Sequence, residues 1–270
     1  MITYGSLDFS QVNDPIKTEE TIYHQLARID LPIEYVGIPI AFSINTLGID
    51  QTQSMIDEIN RVHPQEKFFV CQHIFVNRLN FGESKVFTPH TCDSDRYYFI
   101  PHYNPIYDSK PEVTEFDDRT YTFSFMGDFQ TNEARQVLSR LHSKSTPIIP
   151  TGKWFFSHEE DKQKELKKLY LNYLRNTKYS LCPPGTGPST LRLFESMSVG
   201  SIPIVFNDIK IPRELNGLII KTDIDSFLQN PNSIFERTQN GGQISSNIYN
   251  TYWENFSNER LADSIIKHFK

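Results

Sequence analysis

Two charged residues, three positions apart, carry the strongest chemical signal in this sequence. Arg192 and Glu195 follow a short apolar run and a loop rich in proline and glycine at residues 183–188. Their spacing places both side chains on one face of a predicted helix, near its start. A guanidinium offers a planar set of donors to diphosphate oxygens, and a carboxylate can accept hydrogen bonds from the cis-diol of a ribose. The pair therefore predicts a nucleoside-diphosphate pocket, and the alternative is a solvated Arg–Glu salt bridge.

The elements around this pair are predicted to be a strand, a loop, a helix and a second strand, in that order. Residues 179–182 and 202–206 are the predicted strands, and Ser189 or Thr190 is the predicted cap of a helix that ends near Gly200. The start of a helix presents main-chain N–H groups and a partial positive charge, which suit a phosphate. The unit is of the kind that binds anionic ligands in parallel sheets.

The rest of the chain also alternates predicted strands and helices, which is typical of parallel α/β sheets. The further predicted strands are residues 34–43, 67–74, 85–88, 97–100, 121–126, 146–149 and 218–221. The further predicted helices are residues 18–28, 50–62, 131–141 with Thr131 as the cap, 160–176, 225–228 and 257–269. A polar segment rich in Pro, Asp and Glu, residues 104–119, is the predicted linker between two domains.

This alternation predicts an α/β fold with two facing Rossmann-like domains, parallel sheets and a cleft between the domains. Residues 1–110 are predicted as the first domain, and residues 111–256 as the second domain, which contains the predicted nucleoside-diphosphate pocket. Residues 257–270 are predicted as a C-terminal helix that packs back on the first domain.

Composition excludes several classes of protein. The chain has 270 residues, 38% of them hydrophobic, and a net charge of −6, which argues against nucleic acid as a partner. The sequence contains no run of 18 apolar residues, so it predicts no transmembrane segment. The N-terminal residues lack the pattern of a signal peptide. The three cysteines (Cys71, Cys92 and Cys182) do not form a disulfide framework and fit a reducing compartment. We therefore expect a cytoplasmic protein, for which peripheral association with a membrane stays open.

Several segments resemble the exostosin-like glycosyltransferases, family 47 of the sugar transferases. They are Ser180–Gly185, Arg192–Ser196, Gly200–Asp208, and Arg119–Gly127 followed by Arg135 and Leu138. The resemblance implies a GT-B fold, a nucleotide-sugar donor with a UDP-sugar foremost, inversion at the anomeric carbon and no required metal or other cofactor. It also implies that the second domain binds the nucleotide sugar and that the first domain lies on the acceptor side. Arg192 would then face the diphosphate and Glu195 the ribose. A glycan or glycolipid acceptor and a role in polysaccharide biosynthesis would follow, in a bacterial or viral type of enzyme.

An inverting transferase must stabilise the departing nucleoside diphosphate and remove a proton from the acceptor hydroxyl. The predicted donor-binding residues are Gly127, Pro184, Gly185, Thr186, Ser189, Thr190, Arg192 and Glu195, and Arg192 is also predicted to act in catalysis. The base is expected from the first domain. The candidates for it are His73, His90, Asp93, Asp95 and His102.

Two alternatives stay open at this stage. Asp93 and Asp95 match the Asp-x-Asp pattern with which metal-dependent GT-A transferases hold Mn²⁺ or Mg²⁺ against a diphosphate. The chain could also be a module that binds a nucleotide sugar or a glycan without turnover.

Overall fold

The computed structural model of the chain describes residues 1–4, 9–90, 95–187, 189–206, 209, 215 and 217–269. The chain divides into two compact units. The first unit comprises Met1–Pro105 and Asn258–Lys270, and the second comprises Ile106–Ser257. Each unit has a sheet of its own, and the strands that pair within each sheet are parallel.

The bounds of the elements in the described part of the chain are as follows. The strands are β1 Glu34–Val36, β2 Lys67–Val70, β3 Lys85–Thr88, β4 Tyr97–Phe99, β5 Tyr121–Gly127, β6 Ile148–Pro150, β7 Thr177–Cys182, β8 Ile202–Phe206 and β9 Ile220–Thr222. The α-helices are α1 Thr18–Leu26, α2 Ile40–Leu47, α3 Ile49–Val62, α4 Glu133–Leu138, α5 Glu160–Arg175, α6 Leu191–Met197, α7 Ile224–Gln229, α8 Ser233–Arg237, α9 Gly241–Asn255 and α10 Asp263–Phe269. Short 3₁₀ helices lie at Phe9–Gln11, Val76–Arg78, Phe129–Thr131, Ser139–Leu141, Phe155–Ser157 and Asn258–Arg260.

The sheet of the first unit has the strand order β1-β2-β3-β4. Strand β2 is buried along its whole length, because apolar clusters cover both of its faces. Phe69 packs in one cluster with Ile56 of α3. Phe68, whose side chain points to the opposite face, packs in the other with Ile22 of α1 and Ile265 of α10. The sequence alternation therefore builds a sheet enclosed by helices.

The sheet of the second unit has the strand order β6-β5-β7-β8-β9. The chain passes from β5 to β6 on one side of β5 and then returns to β7 on the other side. Strand order thus reverses between β5 and β7, and such a reversal marks the point where open parallel sheets bind ligands, beyond the carboxyl ends of the strands. The chain leaves the sheet after Cys182, at this point.

Several predicted elements differ from those observed. Residues 34–43 are not one strand, since β1 ends at Val36 and helix α2 begins at Ile40. Strand β2 ends at Val70 instead of continuing to residue 74. A short apolar run has no clear period, so strand and buried helix cannot be told apart from it. Helices α8 and α9 were not predicted, because polar and apolar residues are mixed along residues 233–255.

The caps and ends of two other helices also differ. The cap of α4 is Asn132, whose side chain accepts a hydrogen bond from the Ala134 N–H, whereas Thr131 donates to the Asp128 carbonyl. Both residue types are good caps, so the sequence alone does not choose between them. The predicted C-terminal helix is observed as a 3₁₀ turn followed by α10. Leu261 and Ile265 pack in the buried apolar cluster of the first unit that also contains Phe68.

The fold class predicted from the sequence is confirmed: the chain is an α/β protein of two Rossmann-like units with parallel sheets, as the GT-B type has. The cleft between the units stays a prediction. In the described part of the chain, each helix is too short or too polar to cross a membrane.

Candidate active site

The carboxyl ends of β5 and β7 meet at one edge of the second sheet, and a single arginine joins them. Arg135 of α4 donates from Nε to the Pro184 carbonyl and from Nη1 to the Asp128 carbonyl, each at 2.9 Å. Asp128 directly follows β5, and Pro184 lies two residues after β7. Arg135 therefore spans the point at which the strand order reverses.

Gly185 permits this close approach of the Arg135 guanidinium. A Cβ atom at position 185 would lie 2.9 Å from Arg135 Nη2, which is closer than a carbon atom can come without displacing it. The guanidinium is held by its two carbonyl acceptors, so a side chain at this position would disturb both hydrogen bonds. The lack of space for a side chain therefore explains the glycine at position 185 of the predicted loop.

Arg192 points toward the same edge from helix α6. Its side chain is buried, and its Cζ lies 4.7 Å from the ring centroids of both Phe125 and Tyr170. Its Nη2 donates to the main-chain carbonyl of Met126, near the end of β5. The Cζ of Arg135 lies 5.4 Å from the centroid of the same Phe125 ring. Two guanidinium groups are therefore gathered around one aromatic side chain.

The two arginines form a positively charged site that is partly shielded from water. The acceptors of their hydrogen bonds are the main-chain carbonyls of Pro184, Asp128 and Met126. Burial, and next the charge of Arg192, lower the pKa of Arg135 to about 10, while Asp128 acts in the opposite direction. Like charges held together away from water repel each other, and a ligand with two negative charges would relieve that repulsion. A diphosphate has the charge and the oxygens that this site suits.

Glu195 lies one turn further along α6 and is tied to the same group of side chains. The hydroxyl of Tyr170, on helix α5, donates to Glu195 Oε2. Burial raises the pKa of Glu195, whereas the Arg192 charge, the Tyr170 hydrogen bond and Lys167 lower it. Burial also raises the pKa of Tyr170 well above its ordinary value, so the phenol keeps the proton that it donates. Arg192 and Glu195 are therefore turned into the protein around Tyr170, and the solvated salt bridge is not what the structure shows.

The predicted donor-binding residues lie together in part. Gly127, Pro184, Gly185 and Arg192 meet around Arg135, and Thr190 is the buried residue that precedes α6. Ser189 is half-buried and Thr186 is exposed. Their part in binding a donor stays a prediction.

Sequence reasoning missed two members of this site. Tyr170 fell within the apolar stripe of α5, and Arg135 was noted only as part of a motif. The one available signal for Tyr170 was its place on the helix that leads into β7. Arg135 lies 49 positions from Pro184, and no local pattern shows a contact at that separation.

The three candidate histidines of the first unit, His73, His90 and His102, follow the ends of β2, β3 and β4, and two of them are enclosed. His90 donates from Nε2 to the Gln72 carbonyl at 2.8 Å, and its ring contacts that of His102 with centroids 5.3 Å apart. Burial lowers the pKa of His90 to about 4 and that of His102 well below its ordinary value. Both imidazoles are therefore neutral near pH 7.

His73 is the more accessible candidate, since it is half-buried. Its Nδ1 accepts a hydrogen bond from the Phe75 N–H at 3.1 Å, and its Nε2 lies 3.2 Å from Asn45 Oδ1. A neutral imidazole that accepts at Nδ1 carries its proton on Nε2. To act as a base, His73 must therefore give up the Phe75 hydrogen bond.

The remaining candidate bases belong to the Asp-x-Asp pattern. Asp93 lies outside the described residues, and Asp95 is exposed. Among the described residues, no group of three or more His, Cys, Asp or Glu side chains is arranged to hold a metal ion. The base, and the choice between a metal and a metal-free mechanism, stay predictions.

A buried carboxyl group was not predicted in the first unit. Glu19 of α1 accepts hydrogen bonds from the Ala41 N–H at the start of α2 and from the Gln72 N–H just beyond β2. Burial raises the pKa of Glu19 to about 8, although these hydrogen bonds act to lower it. Glu19 joins three elements at the edge where the candidate histidines lie.

The fold and the site together define an α/β protein with two arginines gathered at one edge of its second sheet. Residues 51–215 match the Exostosin GT47 domain, and this match covers more than half of the chain. The chain therefore belongs to the Exostosin GT47 family of glycosyltransferase domains, and the resemblance deduced from the motifs is confirmed.

Two curated relatives share a shorter segment with the chain. Ribitol-5-phosphate xylosyltransferase 1 of Homo sapiens is 31% identical over 92 residues, which are 33% of this chain and 20% of the relative. The protein of the same name in Mus musculus is 29% identical over 94 residues, again 33% and 20% of the two chains. The matched segment thus spans about a fifth of the length of these relatives.

This chain is also similar to solved structures of glycosyltransferases, at low sequence identity. A glycosyltransferase from Rickettsia africae ESF-5 is 10% identical, with 94% of this chain and 93% of that chain covered and a TM-score of 0.49. Anabaena HepE in complex with UDP is 10% identical, with 93% and 81% covered and a TM-score of 0.48. The assignment to the family depends on the sequence match and not on these likenesses.

Proposed function

We propose that this chain transfers a sugar from a nucleoside-diphosphate donor to a hydroxyl group of an acceptor. The observation that carries the proposal is the pair of guanidinium groups, Arg135 and Arg192, gathered around Phe125 at the reversal of strand order. In this proposal the second unit binds the donor and the first unit lies on the acceptor side.

The charges of the site fit the departure of a nucleoside diphosphate. Negative charge develops on the diphosphate as the bond from the anomeric carbon to the phosphate oxygen breaks. Arg135 and Arg192 are already held by main-chain carbonyls, so they can stabilise that charge without rearranging. The proposed partner of the ribose hydroxyls is the Glu195 carboxylate.

The proposed mechanism is a single displacement with inversion. The acceptor hydroxyl attacks the anomeric carbon, its proton passes to a base of the first unit, and the nucleoside diphosphate leaves. Two guanidinium groups supply the positive charge that a divalent cation supplies in metal-dependent transferases, which favours a reaction without a metal. His73 is the proposed base among the three candidate histidines, because His90 and His102 are both enclosed.

We further propose a UDP-sugar as the donor and a glycan or glycolipid as the acceptor, as the resemblance implied. The name of the curated relatives makes xylose a sugar to include among the donors tested. The cytoplasmic location, the peripheral membrane association and the role in polysaccharide biosynthesis stay predictions.

A panel of donors tests the proposal. The protein is incubated with UDP-, GDP-, CMP- and TDP-sugars, UDP-xylose among them, together with simple glycan acceptors, and nucleotide release is measured with and without EDTA. We expect release with one class of nucleotide, unaffected by EDTA and lost in Arg192→Ala.

The other outcomes select the alternatives. Donor binding without release, across all donors and acceptors, would indicate a binding module. Release that EDTA abolishes and Mn²⁺ restores would favour the metal-dependent mechanism with Asp93 and Asp95.

A further inference from the structure

One tyrosine contacts both charged side chains of the proposed donor site. The ring centroid of Tyr170 lies 4.7 Å from the Cζ of Arg192, and its hydroxyl donates to Glu195 Oε2. We propose that Tyr170 is a positioning residue that fixes the Glu195 carboxylate for a ribose diol, so that the site selects ribonucleoside over 2′-deoxyribonucleoside diphosphates. This inference rests on the proposed function.

The hydrogen bond of Tyr170 holds the Glu195 carboxylate in one orientation. A carboxylate accepts several hydrogen bonds, so the bond at Oε2 leaves capacity for a ligand, chiefly at Oε1. A side chain held in one orientation loses less conformational entropy when a ligand binds. The Tyr170 hydroxyl therefore prepares Glu195 to accept from hydroxyl groups.

The ring of Tyr170 acts on the other charged group. Arg192 contacts the Phe125 and Tyr170 rings and donates one N–H to the Met126 carbonyl. Aromatic contacts engage the flat faces of a guanidinium, which leaves N–H groups at its edge for oxygen atoms. A Tyr170→Phe substitution keeps this ring and removes the hydroxyl alone, so the two functions of Tyr170 can be separated.

The groups around Glu195 determine how Tyr170→Phe changes the pKa of its carboxyl group. The charged and titratable groups that face it are Arg192 on its own helix, Tyr170 and Lys167 on α5, and Cys182 at the end of β7. Loss of the Tyr170 hydroxyl removes an interaction that lowers the pKa of Glu195, while Arg192 and Lys167 remain. The pKa of Glu195 then rises, and the carboxylate that accepts from a diol is retained only at higher pH.

The test compares the affinities of UDP and dUDP by calorimetry in the wild-type chain, Tyr170→Phe and a matched control, Tyr173→Phe. Tyr173 lies on the same helix, and its ring packs on Tyr121. We expect the wild type to prefer UDP by about tenfold, because dUDP leaves an acceptor of the half-buried carboxylate without a ligand hydroxyl. In Tyr170→Phe we expect weaker UDP binding, unchanged dUDP binding and a preference below about threefold.

The remaining outcomes separate this inference from the proposed function. Tyr173→Phe is expected to keep the preference, and Glu195→Gln is expected to lose it whether or not Tyr170→Phe folds. Equal weakening of UDP and dUDP in Tyr170→Phe, or no preference in a wild type that binds UDP, would overturn the positioning role alone. A wild type that binds neither nucleotide would overturn the UDP-sugar as donor, and a wild type that binds no nucleotide of the donor panel would overturn the proposed function itself.

Discussion

The carboxyl edges of the two sheets hold opposite kinds of polar group. The second unit gathers two arginines, whose charge survives burial: even the lowered pKa of Arg135 is about 10. The first unit gathers His90 and His102, which burial renders neutral, and Glu19, whose pKa burial raises to about 8. The same force, loss of water, therefore leaves the arginines of one edge charged and makes His90, His102 and Glu19 of the other edge largely neutral near pH 7.

The strand orders of the two sheets differ in the same sense. Order reverses between β5 and β7 in the second unit, whereas the described strands of the first unit follow each other in sequence order across the sheet. The proposed anion site thus coincides with the reversal of strand order and with the two arginines.

The largest effect is expected from Arg192→Ala. Loss of a group that stabilises the transition state should lower turnover by at least about a hundredfold. The measurement is kcat with the best donor of the panel. Arg175→Ala is the matched control, because Arg175 also lies over a ring, that of Tyr107, but ends α5 at the amino side of β7.

An Arg192→Ala chain that no longer unfolds cooperatively would contradict this account. Arg192 would then serve mainly to hold Phe125 and Tyr170 in place, and the charged edge would be a structural feature.

A smaller effect is expected from Arg135→Gln. The substitution removes one of two positive charges near the proposed diphosphate, so UDP affinity should fall by about tenfold and UMP affinity by less. Calorimetry with both nucleotides measures this, and the exposed Arg140→Gln, on the turn after α4, is the control. Equal losses for UMP and UDP would argue that Arg135 does not reach the second phosphate.

The smallest effect on activity is expected at Glu19, where the change concerns the stability of the first unit. The pKa of Glu19 is raised from 4.5 to about 8, so the folded chain retains a proton there that the unfolded chain has released. The contribution of Glu19 to the free energy of unfolding should therefore fall as pH rises through that interval, and the wild type should lose stability relative to Glu19→Gln. Tm of both chains at about pH 5, 6.5 and 8 measures this. Parallel curves for the two chains would show that Glu19 is ionised when buried.

The position of the charged edge could be predicted from the sequence because its signals are local. The strand, loop and helix around Arg192 and Glu195 follow one another within about thirty residues, so spacing alone places both side chains near a strand end. The resemblance to a known family added their proposed roles.

The rest of the site depends on contacts that sequence patterns do not record. Arg135 meets Pro184 across 49 positions. Tyr170 occupies an apolar stripe, and helical periodicity cannot distinguish a ring that packs on leucine from one that packs on a guanidinium. The protonation of His90 and Glu19 is decided by burial, which follows from the packing of α1, α2 and the sheet rather than from neighbours in sequence.

A crystal structure of the protein with UDP tests the central claim most directly. The account predicts diphosphate oxygens within hydrogen-bonding distance of the Arg135 and Arg192 guanidinium groups, with the ribose hydroxyls at Glu195. UDP bound elsewhere, with these two arginines still directed only at main-chain carbonyls, would contradict it.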